Sequence, residues 1–336
     1  RSTPKPSSAA SDVYKRQAQG VGNRVKGTNT IFFIHKHQVP KGRTVTFPCV
    51  VCTIRPEKEE PKRTRITVCG NFIKDCPGIV TTETADIETI KLHWNHVLST
   101  RNACHVTMDV SNVCQNTALD QFEHMKMPLK DIPQEIIDQF QLKDKVAADG
   151  CVCIKIRRAI CGLRQSGKLA NNQLKENLAK HGYFPSKHTP GLFFHKTRPI
   201  SFGLVVDDFG VCFQRQEDAE HLVESLKQHH PIKTDWTGSC YVGIDLEWNC
   251  DNRTLKTSMK NCVKRALLQF QHPVPTRRQH SPSPFTPPTY GSKIQMATID
   301  NTGPMTPTQK QRLQQITGKF LHLARSCLLY TSDAAD

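Results

Sequence analysis

The 336-residue chain contains no apolar run approaching the roughly 18 to 20 residues that cross a bilayer, so a hydrophobic spanning helix is excluded. No signal-peptide pattern precedes the body of the chain, and a soluble, cytoplasmic protein is expected. No internal repeat is visible, so stacked-repeat architectures are not expected. The 14 cysteines lack the dense, regular spacing of a small secreted framework and read as mostly reduced thiols. Acids are the scarce sign of charge: 30 Asp and Glu stand against 46 Lys and Arg, a formal charge of +16. That excess favours a polyanionic partner, because each phosphate neutralised by Lys or Arg releases a condensed counterion.

The two ends read differently from the body. Residues 7–17 can be encoded by the DNA of a transposase-based sequencing adapter, and residues 327–336 by the reverse complement of the same short DNA. Opposite-strand translations of one DNA at both ends are not expected by chance, so 1–17 and 327–336 are set aside as scars. The genuine frame is then expected to run from about Ala18 to Ser326; trimming removes four basic and three acidic residues and leaves a charge of about +15. Such a length can bury a sizeable core, as one large domain or two to three subdomains.

Local patterns in the body suggest an ordered series of elements. Residues 31–80 alternate short apolar or β-branched runs, 44–47 and 65–68 among them, with Pro, Gly and charge; they predict short strands in a basic, loop-rich subdomain. Residues 86–98 carry Ile87, Ile90, Leu92, Trp94, Val97 and Leu98 at helical spacing with acids in the first turn, and predict a helix. A strand at 105–110 ends near Asp109 and leads into a polar helix or loop. Residues 151–156 alternate as a strand, and 168–181 predict a helix stopped by Gly182. A strand at 203–206 runs into Asp207 and Asp208 and then into 210–213, a hairpin with two carboxylates at its tip. Residues 217–230 predict an amphipathic helix with Ala219, Leu222, Val223 and Leu226 on one face. Residues 240–248 alternate again, 261–270 predict a basic helix, and the Pro- and Ser-rich 273–288 read as a linker before a last helix at 308–325. Helices returning onto an antiparallel sheet define an α+β pattern.

Adjacent carboxylates need a reason to exist. Two unit charges about 4 Å apart cost roughly 4 kcal/mol at an effective dielectric near 20, and a divalent cation offsets that cost. Magnesium prefers carboxylate and phosphate oxygens. Two such ions about 3.5 to 4 Å apart can activate an attacking hydroxyl and stabilise a leaving pyrophosphate. Asp109, at the end of another strand, is the natural third carboxylate. Taken alone, an Asp-Asp turn also fits a solvated hairpin tip. A different candidate is the lone C-x-x-C of Cys49 and Cys52; zinc needs four ligands, and Cys69, Cys76, His35 and His37 supply no second pair at ribbon or knuckle spacing.

Four segments occur together: Thr107-Met108-Asp109-Val110, Gly162-Leu163-Arg164-Gln165-Ser166-Gly167, His188-Thr189-Pro190-Gly191-Leu192-Phe193 and Leu204-Val205-Val206-Asp207-Asp208-Phe209-Gly210. In order and spacing they resemble the reverse transcriptases of copia-type LTR retrotransposons. The similarity extends through Asp235-Trp236-Thr237-Gly238, Tyr241-Val242-Gly243-Ile244 and 266–273, and back to 63–68, which covers nearly the whole trimmed chain.

The resemblance implies a right-hand polymerase with basic fingers at 18–100, a ferredoxin-like palm at 101–250 with interleaved fingers segments, and the start of a helical thumb or connection at 251–326. It further implies that Asp109, Asp207 and Asp208 hold two Mg²⁺, with Mn²⁺ a possible substitute, and that dNTPs are added to a primer 3′-OH by in-line phosphoryl transfer. Arg63 and Arg65 would touch the triphosphate. Gln165 would line the nucleotide and template pocket, with Gly162 and Gly167 allowing close backbone approach. Tyr241 and Gly243 would hold the primer end, and Lys264 and Arg265 would follow the duplex phosphates. For each of these a plain packing or surface role stays open. Lys227 and Lys233 are rival proton donors to the departing pyrophosphate, and spacing does not choose between them. The implied partners are an RNA template, a DNA primer or RNA–DNA hybrid, and the integrase and ribonuclease H segments of a parent Pol polyprotein in virus-like particles, with no membrane.

The chain departs from the family at the nucleotide pocket. Cys114 stands where the family carries the Tyr or Phe that crowds the sugar 2′ position, Cys161 where a Tyr is usual, and Cys69 where a Gly is usual. With Gln115 in place of an apolar residue, these changes look like a decaying copy. A nucleic-acid-binding remnant without turnover is therefore the alternative reading, and a small zinc-binding nucleic-acid module the third.

Overall fold

A computed structural model describes residues 30–54, 62–73, 78, 80–111, 113–273, 290–291 and 303–327. Residues 1–17 and 328–336, and the linker expected at 273–288 apart from Pro273, lie outside the described residues. The described chain is α+β and divides into two units, residues 1–238 and 239–336. None of its described helices is long and apolar enough to cross a membrane.

The first unit opens with β1 (Ile31–Ile34), β2 (Val45–Thr46), β3 (Pro48–Ile54) and β4 (Lys62–Val68). Then come α1 (Ile87–Ser99), β5 (Cys104–Val110), the short α2 (Val113–Asn116), β6 (Ala118–Pro128), α3 (Gln134–Gln139) and β7 (Cys151–Arg158). It continues through α4 (Ser166–Lys180), β8 (Tyr183–Pro185), β9 (Leu192–His195), β10 (Ile200–Val205), β11 (Asp208–Phe213), α5 (Gln216–Lys227) and β12 (Ile232–Asp235). Three sheets result: β1-β7-β6-β2, the antiparallel pair β3-β4, and a six-stranded antiparallel sheet ordered β12-β5-β11-β10-β9-β8.

Period-two alternation decides the faces of the six-stranded sheet. Val106, Met108 and Val110 of β5, Phe202 and Leu204 of β10, and Phe209, Val211 and Phe213 of β11 point to one side. There they pack with Leu174 and Leu178 of α4 and Leu222 and Leu226 of α5. All four apolar residues expected on the face of α5 are buried. The other side of the sheet carries α1, whose His93 Nε2 lies 3.0 Å from the Ser201 hydroxyl of β10. Asp86 caps α1 by accepting the Thr89 N–H at 2.7 Å. The apolar stripe of α1 differs from expectation: Ile90, Trp94 and Val97 are buried, but Leu92 is 71% exposed. Spacings of four and three residues keep the first three on one face, whereas Leu92 falls two residues, more than half a turn, from Ile90 and Trp94.

The sheet pair β3-β4 is tied to the start of α4 by a close backbone crossing. Gly162 has φ +102°, and a Cβ there would lie 2.0 Å from the Val68 carbonyl oxygen. The Val68 N–H in turn donates to the Cys161 carbonyl at 2.9 Å. A side chain at position 162 would push β4 away, so only glycine permits this approach.

The second unit is a three-stranded sheet, β13 (Cys240–Tyr241), β14 (Ile244–Asn249) and β15 (Thr254–Ser258), followed by α6 (Lys260–Phe270) and α7 (Pro307–Cys327). The alternation at 240–248 is a hairpin instead of one strand. Val242 and Gly243 take φ of 45° and 82°, and positive values at both central residues belong to a type I′ turn.

Candidate active site

Register brings the three expected carboxylates to one end of the six-stranded sheet. Asp208, the first residue of β11, stands directly opposite Asp109 of β5, and Asp207 occupies the turn before it. The pairing of Val205 with Asp208 leaves Val206 and Asp207 as a two-residue turn, so Asp207 alone is at the hairpin tip. Phe209 and Gly210 belong to the strand. The Val110 N–H donates to the Asp207 carbonyl at 3.0 Å and fastens this turn to the end of β5. Asp109 and Asp208 share the sheet face opposite the apolar side chains of Met108 and Phe209.

Directly opposed residues on neighbouring strands hold their Cβ atoms about 4.5 to 5.5 Å apart, where like charges are destabilising. The titration behaviour follows. The Asp208 carboxyl is pushed up to about 6 by burial first, and then by Asp207 and Asp109. Asp207 is raised by burial and by Asp109, while Arg65 pulls it the other way. Among the described residues no three His, Cys, Asp or Glu side chains are drawn into a ligating group. The three carboxylates are thus electrostatic neighbours rather than a closed shell. Their chemistry nonetheless fits a hard divalent cation: the donors are all oxygens, and the charged forms of Asp207 and Asp208 carry a cost that a cation would offset.

Other expected residues fall into three groups. The first gathers near the carboxylates. Arg65, exposed on β4, is close enough to stabilise the ionised Asp207. Arg63 lies on the same strand, paired with Thr53, and its side chain is outside the described residues. Cys114 sits where the two apolar cores of the first unit meet, and burial, then Cys161 and Asp207, push its thiol up to about 11.

The second group has a visible structural task. Gln165 Nε2 donates to the buried Glu123 Oε1 at 3.1 Å, joining the start of α4 to β6. Gly162 makes the crossing with β4 described above. Gly167 does not share that role: a Cβ there would meet only the Thr82 hydroxyl at an ordinary 3.5 Å.

The third group lies in the second unit. Tyr241 is buried, Gly243 forms the turn, and Lys264 and Arg265 are exposed on α6.

One residue left undecided by spacing is separated from its rival by register. Lys233 of β12 is directly opposite Asp109, on the side away from Asp208. Lys227 closes an ion pair with Glu224 at 2.8 Å on α5. No local pattern could reveal this, because β5 and β12 are far apart in sequence and their register is a property of the assembled sheet.

The zinc alternative loses its geometry. Cys49 and Cys52 lie three residues apart on β3, so alternation sends their thiols to opposite faces. Cys76 is outside the described residues. No protein-family model matches the chain.

Proposed function

We propose that this chain is the reverse-transcriptase part of a copia-type retrotransposon polyprotein, a template-directed DNA polymerase acting by two-metal nucleotidyl transfer. One observation carries the reading: Asp109, Asp207 and Asp208, from two strands and a turn, converge where the family resemblance requires three carboxylates. In this reading the six-stranded sheet with α4 and α5 is a palm. The sheets β1-β7-β6-β2 and β3-β4 are fingers, and the second unit contains the start of a thumb.

Asp109, Asp207 and Asp208 would hold Mg²⁺, or Mn²⁺ in its place, which supplies charge neutralisation at the attacking and leaving oxygens. The remaining work falls to the chain's own groups. Arg65, beside Asp207, binds triphosphate oxygens, and Lys233, across from Asp109, keeps a proton on Nζ for the departing pyrophosphate. Gln165, braced by Glu123, orients the loop that faces template and dNTP.

Primer extension on poly(rA)/oligo(dT) with Mg²⁺ tests the reading. Asp207→Asn is expected to lower the rate by about 1,000-fold, the scale seen when a preorganised charge partner of the transition state is removed. Equal background in both proteins would overturn polymerase activity. Lys233→Ala is expected to cost about 100-fold, while Lys227→Ala leaves the rate unchanged; the reverse ranking would remove Lys233 from the mechanism. A second reading, a nucleic-acid-binding remnant, is favoured by Cys114, a small thiol at the position where the family places an aromatic ring. In that case both proteins extend primers only at background.

A further inference from the structure

The sheet β1-β7-β6-β2 has an apolar inner face and an unusual outer one. Ile31 and Phe33 of β1, Ile154 and Ile156 of β7, and Met125 and Met127 of β6 are buried in one core. Their neighbours in the alternation point the other way. Phe32 pairs with Lys155, Lys155 pairs with His124, and Lys126 pairs with Cys153.

On this outer face aromatic rings alternate with cations. The Arg157 guanidinium lies 4.7 Å from the centre of the Phe32 ring and 5.6 Å from that of Phe122, and Lys155 Nζ lies 5.6 Å from the Phe122 ring. Lys126 Nζ is 5.6 Å from the Phe47 ring, which meets Phe72 edge to face. Arg43 is fastened beside them, donating to the Gln121 side chain at 3.2 Å and to the Phe122 carbonyl at 2.9 Å. Phe47, Phe72 and Phe122 stay exposed. The countercharge is small: Asp149 is paired with Lys126, Glu123 is buried and reaches Gln165 and Arg43, and Asp120 is exposed on β6. His124 beneath this layer is held below its ordinary range by burial first, and then by Arg43 and Lys155.

We propose that this outer face is a binding surface for single-stranded nucleic acid, with bases stacked on the Phe32–Arg157–Phe122 tier and phosphates held by Lys155, Lys126 and Arg43. Flat rings and a guanidinium plane offer stacking to any base, and cations spaced along the sheet match a phosphate backbone. An acidic polypeptide would satisfy the charge and leave the rings unused. None of these residues is on the six-stranded sheet with the carboxylates, so the proposal does not depend on polymerase activity.

The test uses the full chain in EDTA, without primer or dNTP, and fluorescence anisotropy of a labelled oligo(dT) of about 12 nucleotides, within the usual site size of such surfaces. Binding should weaken with salt at a log–log slope of about −2, the value for three phosphates on a single strand. Lys155→Glu with Arg157→Glu should lower affinity more than tenfold and flatten the slope. Phe122→Ala should lower affinity roughly tenfold at unchanged slope, because stacking releases no counterion. Arg157→Lys, which keeps the charge and loses the plane, should fall between, with all variants matching the parent by circular dichroism. An oligonucleotide carrying 5-iodouracil should photocrosslink to Phe32 or Phe122. Unchanged affinity in the folded Phe122 and Arg157 variants would overturn the proposal. So would equal competition by poly-glutamate, which would mark a charge-only patch, or by a duplex of the same length. Primer extension is scored separately, so failure of either reading leaves the other standing.

Discussion

Two carboxylates of the first unit, Asp218 and Asp208, receive opposite treatment. Asp218, in the first turn of α5, has a fully buried side chain, yet Arg198 reaches its Oδ1 at 2.8 Å and Arg215 reaches Oδ2 at 2.9 Å and Oδ1 at 3.1 Å. Burial raises its carboxyl, but the hydrogen bonds from Arg215 and Arg198 outweigh it and hold the group below the usual range. Asp208 is only partly buried, and its named electrostatic neighbours are two further carboxylates. The contrast separates a charge that serves the fold from one that costs it. A carboxylate kept against its own interest, at a strand end beside two others, marks a candidate functional site rather than a structural ion pair.

The largest stability effect should come from the satisfied site. Asp218→Ala leaves two arginines gathered around nothing and is expected to cost about 3 kcal/mol, read from the midpoint of urea unfolding. The pH dependence has a definite sign. A depressed carboxyl stabilises the fold above its unfolded value of 3.8, and that contribution is lost as the pH falls through the folded value. The difference between the parent and Asp218→Asn should therefore shrink in acid. A cost below about 1 kcal/mol would break the comparison, because Asp218 would then be no better provided for than an exposed ion pair.

A somewhat smaller effect of opposite sign is expected at Asp208. Between pH 3.8 and about 6 the folded chain holds a proton that the unfolded chain has released, so stability falls across that window and the deficit is complete above it. In EDTA at pH 8, Asp208→Asn should raise stability by about 2 kcal/mol, and near pH 3.5 it should change nothing. Restoring Mg²⁺ should narrow the gap by stabilising the parent alone. A destabilising Asp208→Asn at pH 8 would mean that a favourable partner, and not repulsion, governs this carboxyl.

How much of this could be read from the chain follows from how local each cause is. The stripe of Ala219, Leu222, Val223 and Leu226 foretells which face of α5 is buried, because helical spacing is fixed by the backbone. The strand that ends near Asp109 and the carboxylate hairpin were legible from a local cause too, the alternation at 105–110 and 203–213. What escaped was register and long-range pairing. That Lys233 faces Asp109, that Arg198 finds Asp218, and that Gly162 crosses Val68 are consequences of how distant segments meet. The turn at Val242 and Gly243 escaped for a local reason, since Val is among the residues least expected at positive φ.

That same anomaly gives the smallest and most specific test. Val206, immediately before the carboxylate pair, has φ 59°, and Val242 in the second unit has φ 45°. A β-branched residue in the left-handed region is strained by roughly 1 to 2 kcal/mol, and glycine relieves this while giving back part of the gain through unfolded-state entropy. Val206 is 54% exposed, so its replacement removes little packing. Val206→Gly and Val242→Gly should each raise stability by about 0.5 kcal/mol, measured by thermal unfolding of the full chain. At Val206 alone the gain should be accompanied by slower primer extension, because Val206 shares the two-residue turn with Asp207. A gain in stability with unchanged extension would show the strain to be incidental to the carboxylates. It would also move the cost of this site wholly onto the charges of Asp109, Asp207 and Asp208.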